Sequence, residues 1–278
     1  MEAWRILPFR KAGAAENMAV DEAIFRERIR TMAAPTLRFY GWRKPAVSIG
    51  HNQDARREID IAACQALGIA IVRRPTGGKA VLHERELTYA VIAGDDVPPF
   101  PPDILETYRI ISDCIGKGLA VCGIRAEMER DGRGEAATTL STSCFAFPSR
   151  YELLVAGRKI CGSAQVRSRG VFLQHGALLM AFDPARTCAV MLPHRDRQKQ
   201  IDRLRNSVTS VGEHAGPEAD EAMLCGAFRD AFAERLGIRF RVGMLTPEEE
   251  TLKVELMANK YDSTSWNGEG STPWTSGL

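Results

Sequence analysis

Four short segments of this 278-residue chain gather residue types that can do chemistry. The first is Arg73-Arg74-Pro75-Thr76-Gly77-Gly78-Lys79-Ala80-Val81-Leu82-His83. Paired glycines after a strand let a ligand approach the backbone closely, because no Cβ intervenes. N–H groups at such a bend can cradle a carboxylate, phosphate or thioester oxygen, and Arg73, Arg74 and Lys79 add positive charge. A plain glycine-rich strand connection with solvated basic side chains fits the same residues. The spacing is not G-x-x-x-x-G-K-[ST], so nucleotide binding at this bend does not follow.

The second segment is Gly157-Arg158-Lys159-Ile160-Cys161-Gly162-Ser163-Ala164-Gln165. Gly162, Ser163 and Ala164 leave room for a ligand to lie against a strand. A lysine there can steer an acyl carbonyl or lower a thiol pKa by its charge. An edge-strand lysine pointing to water is the alternative, and surface lysines are abundant. The third segment, Ser141 to Pro148, sets Cys144 in a polar stretch instead of on an apolar periodic face. An accessible thiol near positive charge is the reactive kind. Cys161 is the competing thiol; Cys64, Cys114, Cys122, Cys188 and Cys225 sit in helical or apolar settings and read as packing. The fourth is Phe172-Leu173-Gln174-His175-Gly176, where His175 either lines a pocket or is a core histidine satisfied by backbone.

Elements must position these groups. Strands are expected over 4–8, 36–42, 46–50, 69–73 and 87–93, and three more over 151–155, 159–167 and 171–182. Helices are expected over 14–30, 59–67, from Asp103 through Leu119, and over 218–236 and 247–260. Residues 130–143 read as a mobile loop and 263–278 as a frayed tail. Strands clustered around helices without strict alternation indicate an α+β fold, with mixed and antiparallel sheets flanked by helices. The expected organisation is a catalytic domain over 1–215, a short helical extension over 216–262 packed on it, and the tail.

Bulk properties narrow the function. Lysine and arginine number 37 against 35 acidic residues, a net charge of +2 that makes no case for nucleic-acid binding. There is no apolar run long enough for a membrane span and no basic-then-apolar leader, so a cytoplasmic location is expected. Seven cysteines without a Cys-x-x-Cys pair suggest neither zinc nor thioredoxin chemistry, and they are expected to be reduced. No His-His-Glu spacing supports a metal site.

Together the four segments resemble the lipoate–protein ligase and octanoyltransferase superfamily, which shares its catalytic fold with biotin–protein ligases. The resemblance covers about residues 30–215 and rests on R-R-P-T-G-G-K-A-V-L-H and G-R-K-I-C-G-S-A-Q-x-R. The run Cys144 to Leu153 is similar to the cysteine-dependent, M-type octanoyl-[acyl-carrier-protein]:protein N-octanoyltransferases. That resemblance implies an acyl-thioester on Cys144, assisted by Lys159 fifteen residues later. It implies an acyl site lined by Arg73, Gly77, Gly78, His83, Gly162, Ser163, Ala164, Gln165 and His175, with Val72, Val81, Leu173 and Leu178 as candidates for an acyl tunnel. The implied partners are octanoyl-acyl carrier protein and a lipoyl-domain or glycine-cleavage H-type acceptor protein, with no cofactor. Many ATP-using ligases carry a third glycine where this chain has Lys79, which argues against lipoyl-adenylate chemistry. Three rivals stay open: an ATP-dependent ligase, an octanoyl amidotransferase between lipoyl proteins, and a non-catalytic binder of lipoyl domains.

Overall fold

The computed structural model describes residues 3–129, 151–192, 196–215 and 219–269. Eleven strands and nine α-helices are found among them, in the order β1 (Ala3–Ala12), α1 (Ala14–Thr31), β2 (Thr36–Trp42), β3 (Ala46–Ile49), α2 (Ala55–Glu58), α3 (Ile61–Ala66), β4 (Ala70–Arg73), β5 (Val81–His83), β6 (Glu86–Gly94), α4 (Ile104–Val121), β7 (Glu127–Met128), β8 (Leu153–Val155), β9 (Arg158–Ser168), β10 (Val171–Leu179), α5 (Pro184–Val190), α6 (Arg197–Ser207), α7 (Glu221–Leu236), β11 (Arg239–Val242), α8 (Pro247–Leu256) and α9 (Thr264–Glu269). An eight-stranded sheet runs β11-β1-β2-β6-β10-β9-β8-β7, and a second sheet runs β4-β3-β5. Pairing is parallel at the β11-β1-β2 end and antiparallel through β2-β6-β10-β9-β8. These are the mixed sheets flanked by helices of an α+β fold.

Alternation along the central strands assigns each face of the large sheet its own core. Leu87, Tyr89 and Val91 of β6, with Phe172 and Leu178 of β10, pack beneath α4 and α7. Ala90 and Ile92, with Leu173, pack with α1 on the other face. Phe228 of α7 sits so close to α4 that a Cβ at Gly118 would lie 2.1 Å from its ring, so that glycine sets the helix separation.

The many polar residues of α1 are explained by what covers it. Asn17, Asp21, Glu22 and Arg28 are all buried, and each is paired. Asn17 donates to the Gly41 carbonyl, Glu22 accepts from Lys260, and Arg28 donates to Asp96. Buried polar groups persist only when so satisfied. A helix walled on several sides therefore shows no clean apolar period.

The C-terminal third departs from the expected organisation. β11 joins the large sheet beside β1, and Leu224, Phe228 and Phe232 of α7 belong to the same core as the central strands. The segment after 216 thus carries a strand as well as helices. The assignment of 263–278 to a free tail is corrected over its first part. α9 spans Thr264–Glu269, and its Trp266 is only 5% exposed. Trp266, packed on Tyr261 and donating to the Arg73 carbonyl of β4, joins Asn267 in docking a segment whose composition reads as unstructured.

Candidate active site

Between the two sheets lies a narrow cavity. Met18 of α1 and Tyr40 and Trp42 of β2 form its apolar wall, with Val81 of β5. The strand backbones at Gly162, Ser163 and Ala164 and at Gly176 and Ala177 form another wall. Gly176 has no room for a side chain, since a Cβ there would lie 2.5 Å from the Tyr89 ring and 2.8 Å from the Gly162 carbonyl oxygen.

Two carboxylate–imidazole–hydroxyl chains border this cavity. In one, Asp21 meets His175 Nδ1 at 3.1 Å, and His175 Nε2 meets the Thr76 hydroxyl at 2.7 Å. Asp21 also accepts from Arg38 at 2.6 Å and from the Tyr40 hydroxyl at 2.9 Å. Burial alone would raise the Asp21 carboxyl, but Arg38, His175 and Tyr40 hold it below the ordinary range. Burial pushes the His175 imidazole down despite the Asp21 contact, which keeps the ring neutral. With Nδ1–H donated to Asp21, Nε2 accepts from Thr76.

In the other chain, His83 Nδ1 contacts Glu86, and His83 Nε2 lies 2.7 Å from the Ser48 hydroxyl. Trp42 stacks on the His83 ring at 4.0 Å and donates its Nε1–H to Thr88 at 2.9 Å. Thr88 in turn donates to Glu86 at 2.8 Å. Arg74 donates to the Ser48 hydroxyl at 3.0 Å and grips the glycine bend through the carbonyls of Gly77 and Lys79, both at 2.7 Å. Every polar side chain on the cavity wall thus has a protein partner. Such a wall demands no hydrogen bond from its ligand, which suits an alkyl chain.

Lys159 stands on the strand that walls the cavity, three residues before Gly162 and so roughly 10 Å along it. Register shifts between Leu153 and Leu154, and Ile160 and Cys161 both reach the core beneath α4 and α7. This bulge reverses the alternation, so Lys159 shares a face with Gly162 and Ala164, the face of the cavity. Glu152, alternating with core residue Leu153, lies on that face too. The Lys159 ammonium donates to Glu152 at 2.7 Å, with the two side chains 1% and 4% exposed.

The fold brings some of the residues expected at the site together and separates others. His83, Gly162, Ser163, Ala164 and His175 line the cavity together. Gly78 adopts φ +88°, a conformation that suits glycine, and a Cβ at Gly77 would meet nothing within 4 Å. Gln165 faces away, donating to Gln174 at 2.9 Å in a chain that runs on to Tyr89. Arg73 is fully buried, but its guanidinium donates to backbone carbonyls of Gly50, His51, Gln53 and Trp266. Of the four tunnel candidates only Val81 lines the cavity; Val72, Leu173 and Leu178 pack in the cores on either side.

Cys144 lies outside the described residues. Its competitor Cys161 is in the core beneath α4 and α7, with its thiol pushed up to about 12 by burial. Burial also raises Cys64 to about 11, Cys114 and Cys225 to about 12, and Cys122 and Cys188. None of these six thiols is an anion at neutral pH.

Met18, Tyr40, Trp42, Ser48, Thr88 and Glu152 escape a reading of motifs. They come from five separate elements or their edges, and only the folded sheets bring them beside the glycine bend. Asp21 stands beside Glu22 in a helix of mixed composition, so residue order does not single it out. Among the described residues no cluster of histidine, cysteine and carboxylate side chains is arranged to hold a metal ion.

Residues 13–233 match the lipoyl protein ligase A/B catalytic domain. An octanoyltransferase LipM of Kyrpidia tusciae is 43% identical over 274 residues, covering 96% of this chain and 99% of that one. The octanoyltransferase LipM of Symbiobacterium thermophilum is 40% identical, covering 95% and 97%. Among solved structures, the bipartite lipoate protein ligase of Thermoplasma acidophilum superposes with a TM-score of 0.82 at 27% identity, covering 98% of each chain. A lipoate-protein ligase A bound with ATP superposes at 0.78, also at 27% identity, covering 96% of this chain and 98% of that one.

Proposed function

Since the chain belongs to the lipoyl protein ligase A/B catalytic-domain family, we propose that it moves octanoyl in two steps, from octanoyl-acyl carrier protein to Cys144 and then to a lysine of a lipoyl-type carrier protein. Octanoyl transfer in lipoate biosynthesis is its activity, matching relatives that share nearly its full length. The observation that carries the acyl assignment is the cavity wall, whose polar groups are all satisfied by protein and whose remaining surface is apolar or glycine backbone.

In the first step the Cys144 thiolate attacks the donor's thioester carbonyl. The carrier's thiol leaves, and an acyl-enzyme forms. In the second, the acceptor lysine's amine attacks this new thioester, the bond to sulfur breaks, and an amide results. The thiolate recovers a proton from the nitrogen. Exchange between thioesters is nearly balanced and amide formation is downhill, so no nucleotide is consumed. A covalent intermediate lets two protein substrates visit in turn.

Lys159 favours the thiolate by its charge, and its ammonium is positioned by the hydrogen bond it donates to Glu152. N–H groups of the Gly77–Gly78 bend hold the oxyanion. The elevated thiol of Cys161, on the far side of the sheet, supports Cys144 over its competitor. At about 0.8 kcal/mol per buried methylene, an eight-carbon chain is separated decisively from acetyl and weakly from its neighbours in length. The acceptor is a lipoyl domain or a glycine-cleavage H-type protein. The ligase structures share the fold, which therefore does not distinguish thioester from adenylate chemistry; relatives named octanoyltransferases support the thioester reading.

Intact-mass measurement after mixing with octanoyl-acyl carrier protein tests the route. A hydroxylamine-sensitive octanoyl adduct is expected on the unmodified protein and on Cys161→Ala, and none on Cys144→Ala. Pyrophosphate release with lipoate and ATP that survives Cys144→Ala would establish the ligase reading instead. Transfer from an octanoylated lipoyl protein, with no use of the acyl carrier donor, would establish the amidotransferase.

A further inference from the structure

Building on the acyl-transfer reading above, we propose that the C-terminal helix α9 is part of the acyl site, acting through Arg73 to hold the glycine bend in its working shape. Arg73 and Trp266 are positioning residues in this account, and neither touches the acyl chain.

β4 is an edge strand, with β3 on one side only. At its last residue α9 stands in for the missing strand. The Arg73 N–H donates to Asn267 Oδ1 at 2.9 Å, and Trp266 Nε1–H donates to the Arg73 carbonyl at 3.0 Å. The Arg73 guanidinium then joins two otherwise separate segments. Its Nε donates to the Trp266 carbonyl at 2.7 Å, and one terminal nitrogen donates to the carbonyls of Gly50, His51 and Gln53 at 3.0, 2.9 and 2.6 Å. The other terminal nitrogen faces the Gly268 carbonyl at 3.3 Å. A planar fork with five donors can hold both sides at once, whereas a lysine ammonium cannot.

The loop so gripped supports the bend directly. The His51 N–H donates to the Thr76 carbonyl at 2.8 Å, and a Cβ on Gly50 would lie 2.0 Å from the Gly78 carbonyl oxygen. Thr76 in turn meets His175 of the cavity wall at 2.7 Å. Contacts therefore run without a break from α9 through Arg73, the loop at 50–53 and the bend to the cavity. Displacing α9 releases the loop, and the bend loses the surface it rests on. Misplacement of this kind lowers reaction rates without removing a reacting group.

The test uses the full chain with Arg73→Lys, Trp266→Ala and Trp266→Phe, the last keeping the ring but losing the indole N–H. Single-turnover acylation by octanoyl-acyl carrier protein is expected to slow by about tenfold or more in Arg73→Lys and Trp266→Ala, with a smaller loss in Trp266→Phe. Iodoacetamide alkylation of the reactive thiol, which does not use the bend, should stay within about twofold of wild type. The double variant Arg73→Lys/Trp266→Ala should be no slower than the worse single one, because both break one clamp. Acylation at the wild-type rate in the folded variants overturns the proposal, as does a parallel loss of acylation and alkylation. If Arg73→Lys or Trp266→Ala does not fold, Trp266→Phe decides by the same two rates. No adduct on the wild-type protein would mean that the two-step reading itself had failed.

Discussion

Glu152 and Lys159 form an ion pair from which water is almost absent, and such pairs are asymmetric in their energetics. Removing both charges can leave stability nearly unchanged, but removing one deprives the other of a close counter-charge in a poorly solvating interior. Glu152→Ala is therefore expected to lower stability in urea unfolding by more than Glu152→Leu/Lys159→Met does, and the double variant remains inactive. Equal losses in the two variants would mean that packing, and not charge, is what the pair supplies. The buried Asp21–His175 contact predicts an acid limit. The folded His175 has a pKa depressed below its ordinary 6.5 by burial, so the stability gained from keeping it neutral is whole above 6.5 and declines as pH falls through the folded value. Asp21, held below 3.8, adds a second loss in still stronger acid. His51 is depressed in the same direction and contributes alongside His175. Melting temperature should fall with pH below 6.5, and His175→Gln should show a shallower slope over that range.

At the scale of elements, two glycines of one region are expected to answer oppositely. Gly50→Ala drives a methyl into the Gly78 carbonyl, so the bend must shift, and acylation should drop by about 100-fold. Gly77→Ala meets no atom of the described residues, so melting temperature should hold; slowed acylation in that variant would support substrate on the open side. The contrast also shows how far sequence reasoning reaches. Gly77 and Gly78 stand out because they are adjacent and follow a strand, but Gly50 acts through a contact between segments 28 residues apart. Long elements with a clear period, such as α4, and strands bounded by turns, such as β9 and β10, were readable from residue order. β5 and β7, at three and two residues, are too short to show any period. β11 reads Arg-Phe-Arg-Val with its charges outward, and its pairing with β1 joins residues more than 200 positions apart. The motif residues of the cavity were visible for the same local reason as the glycines. The resemblance places Arg73 at the ligand; only the fold shows that Arg74 faces the cavity while Arg73 turns to carbonyls on the other side of β4.

The whole molecule closes around its C-terminal third. α7 supplies Leu224, Phe228 and Phe232 to the larger core, β11 extends the large sheet, and α8 packs along α1, where Arg5 and Thr246 both engage Glu249. A chain ending at residue 215 would expose those aromatic contacts and leave β1 unpaired on one side. It is expected to show no cooperative unfolding transition, whereas an independently stable catalytic domain would retain one. α9 has a further consequence, apart from any effect on the reaction. At Arg73 the outer margin of β4 would otherwise present an unsatisfied N–H and carbonyl to solvent, the surface on which foreign strands add. A protein lacking its last turns of helix should therefore become sticky before it becomes unstable, forming oligomers at temperatures where the rest of the fold is intact.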